Sequence, residues 1–213
     1  MEKQTEKDSM PFRSLVQKRR SIRRFLPKRV EREKIIMCIE AARVAPSADN
    51  VQPWRFLVID DPALKERFSK VAFSGIYSIS KFASKAPVLI LILARLDIIA
   101  NRIGRQIQGI QFYLIDIGIA GEHIVLQAEE LGLGTCWIGW FNIRKTRKFF
   151  NIPRKFKVVS LIAMGYHEEL SLKKKKRKKL EEILWFNKIG ESDFNFKRSL
   201  EQEGKDDGES EIG

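Results

Sequence analysis

Arg19-Arg20-Ser21-Ile22-Arg23 places three guanidinium groups and one hydroxyl in five consecutive residues. A guanidinium is a planar fork of donors that matches phosphate oxygens, and serine adds a donor without adding charge. Side chains alternate along extended backbone, so Ser21 and Arg23 can face one way together. Such a run can grip a phosphate and the sugar-like chain attached to it. Basic clusters are more often solvated surface, so the run gains weight only from stretches that suit the same ligand.

Two later stretches do. Pro46-Ser47-Ala48-Asp49-Asn50-Val51-Gln52-Pro53-Trp54 is bracketed by prolines and rich in short polar side chains, which predicts an ordered loop. Ser47, Asn50 and Gln52 offer donors and acceptors together, a match for a heterocycle with alternating N–H and C=O groups. Capping of the loop by its own Ser and Asn is the plainer alternative. In Gly132-Leu133-Gly134-Thr135-Cys136-Trp137-Ile138-Gly139, glycines let the backbone approach a flat ligand, and Trp137 and Ile138 can cover a ring face. A glycine turn into a strand reads equally well. Cys136 is expected to be a small buried residue, since no His, Asn or Asp is spaced to activate a thiol. Lys173 to Lys179 is a seven-residue basic run. It suits a nucleic-acid contact, a localisation tag, a solvated tail or a charge returned to the phosphate site.

These stretches need elements to hold them. Phe12, Leu15 and Val16, at i, i+3 and i+4, predict a short helix leading into the arginines. Glu31 to Val44 predicts a helix with Ile35, Ile36, Ile39 and Ala42 on one face, stopped by Pro46. Trp54 to Ile59 reads as a strand. Asp61-Pro62 opens a helix whose buried face is Leu64, Phe68 and Val71. Residues 74–85 read as loop or short helix. Pro87 to Ala94 is apolar on both faces, hence a central strand. Asp97 to Gln111 is polar and poorly periodic, and with 74–85 could form a lid. Phe112 to Leu131 is the longest helix, apolar or small nearly all round, which predicts burial in a core or against a second subunit. Close approach of another helix would explain Gly118 and Gly121, and Gly132 is its C-cap candidate. Asn142 caps a short basic helix ending near Phe150, and Val158 to Met164 is a buried strand.

The bulk properties narrow the classes. The chain has 213 residues, 44% hydrophobic, enough for a real core and too many for global disorder. A net charge of +13 favours anionic partners such as phosphorylated cofactors, nucleic acid or a membrane surface. Two cysteines make neither a disulfide framework nor a zinc pattern, and a cytoplasmic setting is the simplest expectation. Met1 to Met10 lacks the apolar run of a signal peptide, and Pro87 to Ala94 is too short to span a bilayer. No GxGxxG precedes a helix and no P-loop occurs, which excludes those two phosphate cradles. His123 and His167 stand alone, against a metal role.

In order, RRSIR at 19–23, PSADNVQPW at 46–54, LGLGTCWIG at 131–139 and KKRKKLEE at 175–182 resemble the nitroreductase family of FMN-dependent oxidoreductases, over roughly residues 12–188. The resemblance implies an α+β fold, a central mostly antiparallel sheet flanked by helices, in an intertwined homodimer with two FMN molecules at its interface. It implies a flexible tail over 1–11, one FMN-binding domain over 12–190, and a polar tail over 191–213 that is partly disordered or wraps the partner. Carried over by position, Arg19, Arg20, Ser21 and Arg23 contact phosphate and ribityl chain, with Arg177 and Lys175 completing the phosphate site. Ser47, Asn50 and Gln52 contact the flavin of their own subunit or that across the dimer, and Trp137, Ile138 and Gly139 wall the ring. The implied activity passes hydride from NADH or NADPH through FMN to a nitroaromatic, quinone or similar acceptor in a ping-pong cycle, with no dedicated catalytic side chain. Reductive dehalogenation and fragmentation of reduced FMN are alternatives on the same fold. A nucleic-acid-binding protein using Lys173 to Lys179 is the alternative of another class, although the run lacks interleaved aromatics.

Overall fold

The computed structural model describes residues 11–96, 109–168 and 176–190. Contacts divide the chain into two units, Met1–Glu169 and Leu170–Gly213. The first unit carries one antiparallel sheet of four strands in the order β1-β2-β4-β3. These are β1 (Trp54–Ile59), β2 (Val88–Arg95), β3 (Gly134–Ile138) and β4 (Phe156–Gly165).

β2 lies inside the sheet and is buried from Val88 to Ala94, because a strand apolar on both faces is stable only when both are covered. On one face Ile90 and Ile92 pack with α2 (Arg32–Arg43) and α4 (Phe112–Glu130), through Cys38, Ala42, Ile117 and Ile124. On the other, Leu89 and Leu91 meet Phe68 and Ala72 of α3 (Pro62–Ala72) and Phe141. A short α5 (Ile143–Phe149) closes that side, its Phe149 ring 5.7 Å from Phe68. The expected α+β arrangement, an antiparallel sheet between helices, is the one observed.

Side chains fix where the helices start and stop. Asp61 Oδ1 accepts from Leu64 N at 2.7 Å, with Pro62 in the first turn of α3. Asn142 Oδ1 accepts from Lys145 N at 2.9 Å and opens α5. Gly132, at φ +74°, ends α4: Leu133 N donates to Ala128 O at 2.8 Å and Gly132 N to Glu129 O at 3.1 Å. This pair of bonds requires the left-handed backbone that glycine adopts without strain.

Several expectations are corrected. The buried stripe of α2 is Ile35, Cys38 and Ala42, while Ile36 is exposed on its flank. Burial pushes the Cys38 thiol up to about 12, so it behaves as a core residue. On α3 Phe68, Ser69 and Ala72 are buried, with Leu64 and Val71 only half so. Of the loop or short helix expected over 74–85, the helix is the one observed, as a 3-10 helix over Gly75–Lys85. The close neighbour of Gly121 is not a helix but the Trp137 ring, whereas a Cβ at Gly118 would meet open space within this single chain. Residues 97–108 of the expected lid lie outside the described residues. In the second unit, Leu180–Glu182 form a 3-10 turn whose Glu182 Oε1 accepts from Lys179 N at 2.8 Å. Among the described residues no helix is long and apolar enough to cross a membrane.

Candidate functional site

The arginine run emerges from α1 (Phe12–Lys18) and lies against β3. Ser21 forms a parallel bridge with Thr135, and Ile22 N donates to Thr135 O at 2.8 Å. The two motifs are therefore joined through backbone. Gly134 makes this possible: a Cβ there would lie 2.4 Å from Ile22 Cγ1 and 2.5 Å from His167 Cδ2. β3 is an edge strand, and Thr135 turns its carbonyl outward to Ile22. Alternation along the strand turns the backbone groups of Trp137 toward that same edge, and Gly139 follows just past the strand's end. Ile138, by contrast, has its side chain buried in the core, and the same alternation turns its backbone groups toward β4, so it offers a ligand neither.

The side chains of the run diverge. Arg19 turns toward α4, where its Nε lies 3.6 Å from Glu122 Oε1; that nitrogen is buried and makes no hydrogen bond. Arg20 folds back over the end of α1. Its Nη1 donates to Gln17 O, to Lys18 O at 3.1 Å and to Arg19 O at 3.0 Å, which satisfies carbonyls the helix leaves open. Arg23 is exposed, its guanidinium 5.8 Å from the Phe82 ring centre. Ser21 is half-buried beside β3. Trp137 is 36% exposed, and its ring rests on Gly121, one residue before Glu122. Arg19 and Trp137 thus reach the same turn of α4.

The 3-10 segment borders this place. Trp140 Nε1 donates to Ile76 O at 2.9 Å, and its ring lies 5.4 Å from that of Tyr77. Ile76 and Ile79 keep large apolar side chains in solvent.

The loop from Ser47 to Gln52 is held by its own side chains. Ser47 Oγ accepts from Gln52 N at 3.0 Å, and Gln52 Nε2 donates to Asn50 Oδ1 at 2.8 Å. Asp49, Asn50 and Gln52 all sit at φ near +50°, a region costly for non-glycine residues and concentrated at ligand sites. Self-capping is therefore present, and it holds Asn50 and Gln52 exposed. The loop is tied to α4 by Ala48 N, which donates to Asp116 Oδ1 at 3.0 Å.

Asp116 is buried, and its Oδ2 makes no hydrogen bond. Burial raises its carboxyl above the ordinary 3.8, opposed in part by the bond from Ala48. A carboxyl with a raised folded pKa binds its proton more tightly in the native state than in the unfolded chain. Native stability is then fully present below the unfolded value and falls as pH climbs through the raised one. Asp116→Asn keeps an acceptor for Ala48 and removes that fall. Melting temperatures from about pH 4 to about pH 7 should decline more for the wild type than for the variant. Superimposable pH profiles would contradict the assignment.

Glu122 and Asp116 did not stand out in the sequence, and Gly121 did so only as a helix-packing glycine. Asp116, between Ile115 and Ile117, carried a usable signal: an acid inside an apolar helix needs a partner. Glu122 carried none without the position of Arg19, and Gly121 signalled a close approach without saying that Trp137 makes it. Lys175 lies outside the described residues; Arg177, in the second unit, is exposed, its Nη1 3.4 Å from Lys176 O. Among the described residues no cluster could hold a metal ion.

The residues fit an FMN phosphate on one observation above all, a buried guanidinium nitrogen of Arg19 without a hydrogen-bond acceptor beside an edge of outward backbone groups. Comparison with known proteins gives the family. The model of the Nitroreductase family matches residues 16–166. An NADH dehydrogenase of Thermus thermophilus is 30% identical over 71% of this chain and 84% of its own. An iodotyrosine deiodinase of Thermotoga neapolitana is 26% identical over 73% of this chain and 88% of its own. Among solved structures, an FMN-dependent nitroreductase of Clostridium difficile R20291 superposes with a TM-score of 0.64 at 28% identity, covering 82% of this chain and 98% of that one.

Proposed function

The chain belongs to the nitroreductase family, and from that premise we propose that it is an FMN-dependent oxidoreductase. Its electron donor is NADH or NADPH, and its acceptor is a nitroaromatic, a quinone or a similar small molecule. FMN, when bound, supplies the hydride chemistry that no side chain here provides. The chain's own part is to bind, orient and cover it. Arg19 and Arg23 serve as phosphate donors, and Arg20 fixes the end of α1 from which they project. Ser21 contributes a hydroxyl near the ribityl chain. The outward backbone of Trp137, with Gly139 just past the strand's end, serves the polar edge of the ring, and the Trp137 indole is an apolar wall. Ser47, Asn50 and Gln52 form a preordered polar loop for the same ring. Ile76 and Ile79 offer apolar contact to an aromatic acceptor.

The observation that supports this reading most is the convergence of Arg19 and Trp137 on the Gly121–Glu122 turn, with Ser21 bridged to Thr135. The deciding experiment is the visible spectrum of the purified protein, followed by anaerobic titration with each nucleotide. A flavin spectrum bleached by NADH or NADPH is the expected result. A flavin that neither nucleotide reduces, but that turns over an iodinated tyrosine with chemical reductant, favours the dehalogenating reading suggested by the deiodinase relative. A colourless protein that takes up no added FMN overturns both.

The same reading makes the protein a homodimer. Leu114, Ile115 and Gly118 form an exposed apolar stripe on α4, at a spacing that continues to Glu122, the partner of Arg19. A second copy laid on this stripe covers it and reaches the arginine run. Sedimentation should give twice the 24.7 kDa of the chain. A monomer that holds FMN tightly would sink the shared site.

A further inference from the structure

Two adjoining cavities lie beside α3. Asp60 to Pro62, which follow the outer strand β1, line the second of them. The first, of about 430 Å³, lies between α3 and the 3-10 segment. The second, of about 560 Å³, shares Pro62, Lys65 and Lys85 with it.

The charge inside is unbalanced. Lys65, Lys70, Lys81 and Lys85 line the first cavity against a single carboxylate, Glu66. Glu66 is paired with Lys70 at 2.7 Å, which leaves the surplus on the other three lysines. The acids of the second cavity are committed as well. Asp60 receives two bonds from Arg32, at 2.6 and 3.2 Å, and Asp61 caps α3 at 2.7 Å. Lys65 is pinned by Ser84 O at 2.8 Å, and its pKa is lowered by burial and further by Lys85, against the opposing pull of Glu66. Ser69, 7% exposed, lines the same cavity with a hydroxyl that makes no hydrogen bond. A buried hydroxyl without a partner is uncommon in a folded protein and calls for one.

Ammonium groups that converge on a concave space repel one another until an anion arrives, and lysine meets phosphate as a mobile point charge. We propose that this paired cavity binds a small anion through a pyrophosphate group, with Lys65, Lys81 and Lys85 as countercharges and Ser69 Oγ as a donor. The second cavity holds the remainder of the molecule where there is one. The lining shares no residue with those assigned to the flavin, although Arg23 reaches the ring of Phe82, next to Lys81.

The test is calorimetric titration of the full chain, pre-saturated with FMN so that the arginine run is filled, with inorganic pyrophosphate. One saturable site is expected. Lys81 and Lys85 are exposed, so K81Q/K85Q should fold with an unchanged melting temperature. Loss of two charge-assisted contacts should weaken pyrophosphate by about tenfold or more, and Ser69→Ala by severalfold. R144Q/K148Q, which removes two exposed charges from α5, should bind as the wild type does. Tighter binding of ADP than of pyrophosphate identifies a nucleotide as the source of the group; equal binding identifies free polyphosphate. Absence of saturable binding, wild-type affinity in K81Q/K85Q, or equal losses in the two double variants would overturn the proposal.

Discussion

Gly134→Ala is expected to cost both stability and flavin. A Cβ at this position would stand 2.4 Å from Ile22 Cγ1, 2.9 Å from Ile22 Cβ and 2.5 Å from His167 Cδ2. Ile22 is 2% exposed and branched at Cβ, so rotation gives it little escape. The chain before it must move off β3, which breaks the 2.8 Å bond from Ile22 N to Thr135 O and the bridge at Ser21. Forcing a methyl into such a contact costs typically 1–3 kcal/mol. At about 2–4 °C per kcal/mol for a chain of this size, the melting temperature should fall by several degrees. Arg19, Ser21 and Arg23 ride on the displaced segment, so FMN retained after dialysis should fall with it. A variant that melts like the wild type and keeps its flavin would show that the close approach of the two motifs is not what organises the site.

That junction also marks where reading the sequence ends. β1 was legible because Pro53 and Asp60-Asp61-Pro62 punctuate an apolar run, and β2 because PVLILILA can only be covered on both faces. The Asp61 and Asn142 caps and the Gly132 stop were legible too, since each acts within a few residues of itself. What could not be read depends on residues distant in the chain. The order β1-β2-β4-β3 leaves no local trace, and the antiparallel sheet was expected only from the family resemblance. Gly121 looked like a helix-packing glycine, and only the path of β3 shows that an indole fills the space. Ile36 fitted the apolar stripe of α2 as well as Cys38 did, until the positions of α4 and β2 chose between them. Arg20 and Arg19 are interchangeable on paper. The end of α1 separates them, because open carbonyls there capture whichever guanidinium comes within reach.

Arg19→Ala should therefore weaken FMN more than any other single change in the run. Its Nε is buried without a hydrogen bond, and the nearby Glu122 carboxylate is 3.6 Å away, an ion pair rather than a bond. A hydrogen bond to a charged group contributes about 1.5–3 kcal/mol, so losing one from a phosphate should reduce affinity by roughly tenfold to a hundredfold. Glu122→Gln separates this role from simple attachment of α1 to α4. If Arg19 served only the ion pair, the two variants would lose the same small stability, under about 1 kcal/mol for a pair this exposed, and neither would affect FMN. If Arg19 holds the phosphate, Glu122→Gln removes a competitor for the guanidinium, and FMN binds as tightly as before or more so. Equilibrium dialysis monitored by flavin absorbance distinguishes the two. Weaker FMN binding in Arg19→Ala with unchanged or tighter binding in Glu122→Gln assigns the phosphate to Arg19. Matching effects, or none, return it to Arg23 and leave Arg19 as the tie that sets where β3, α1 and α4 meet.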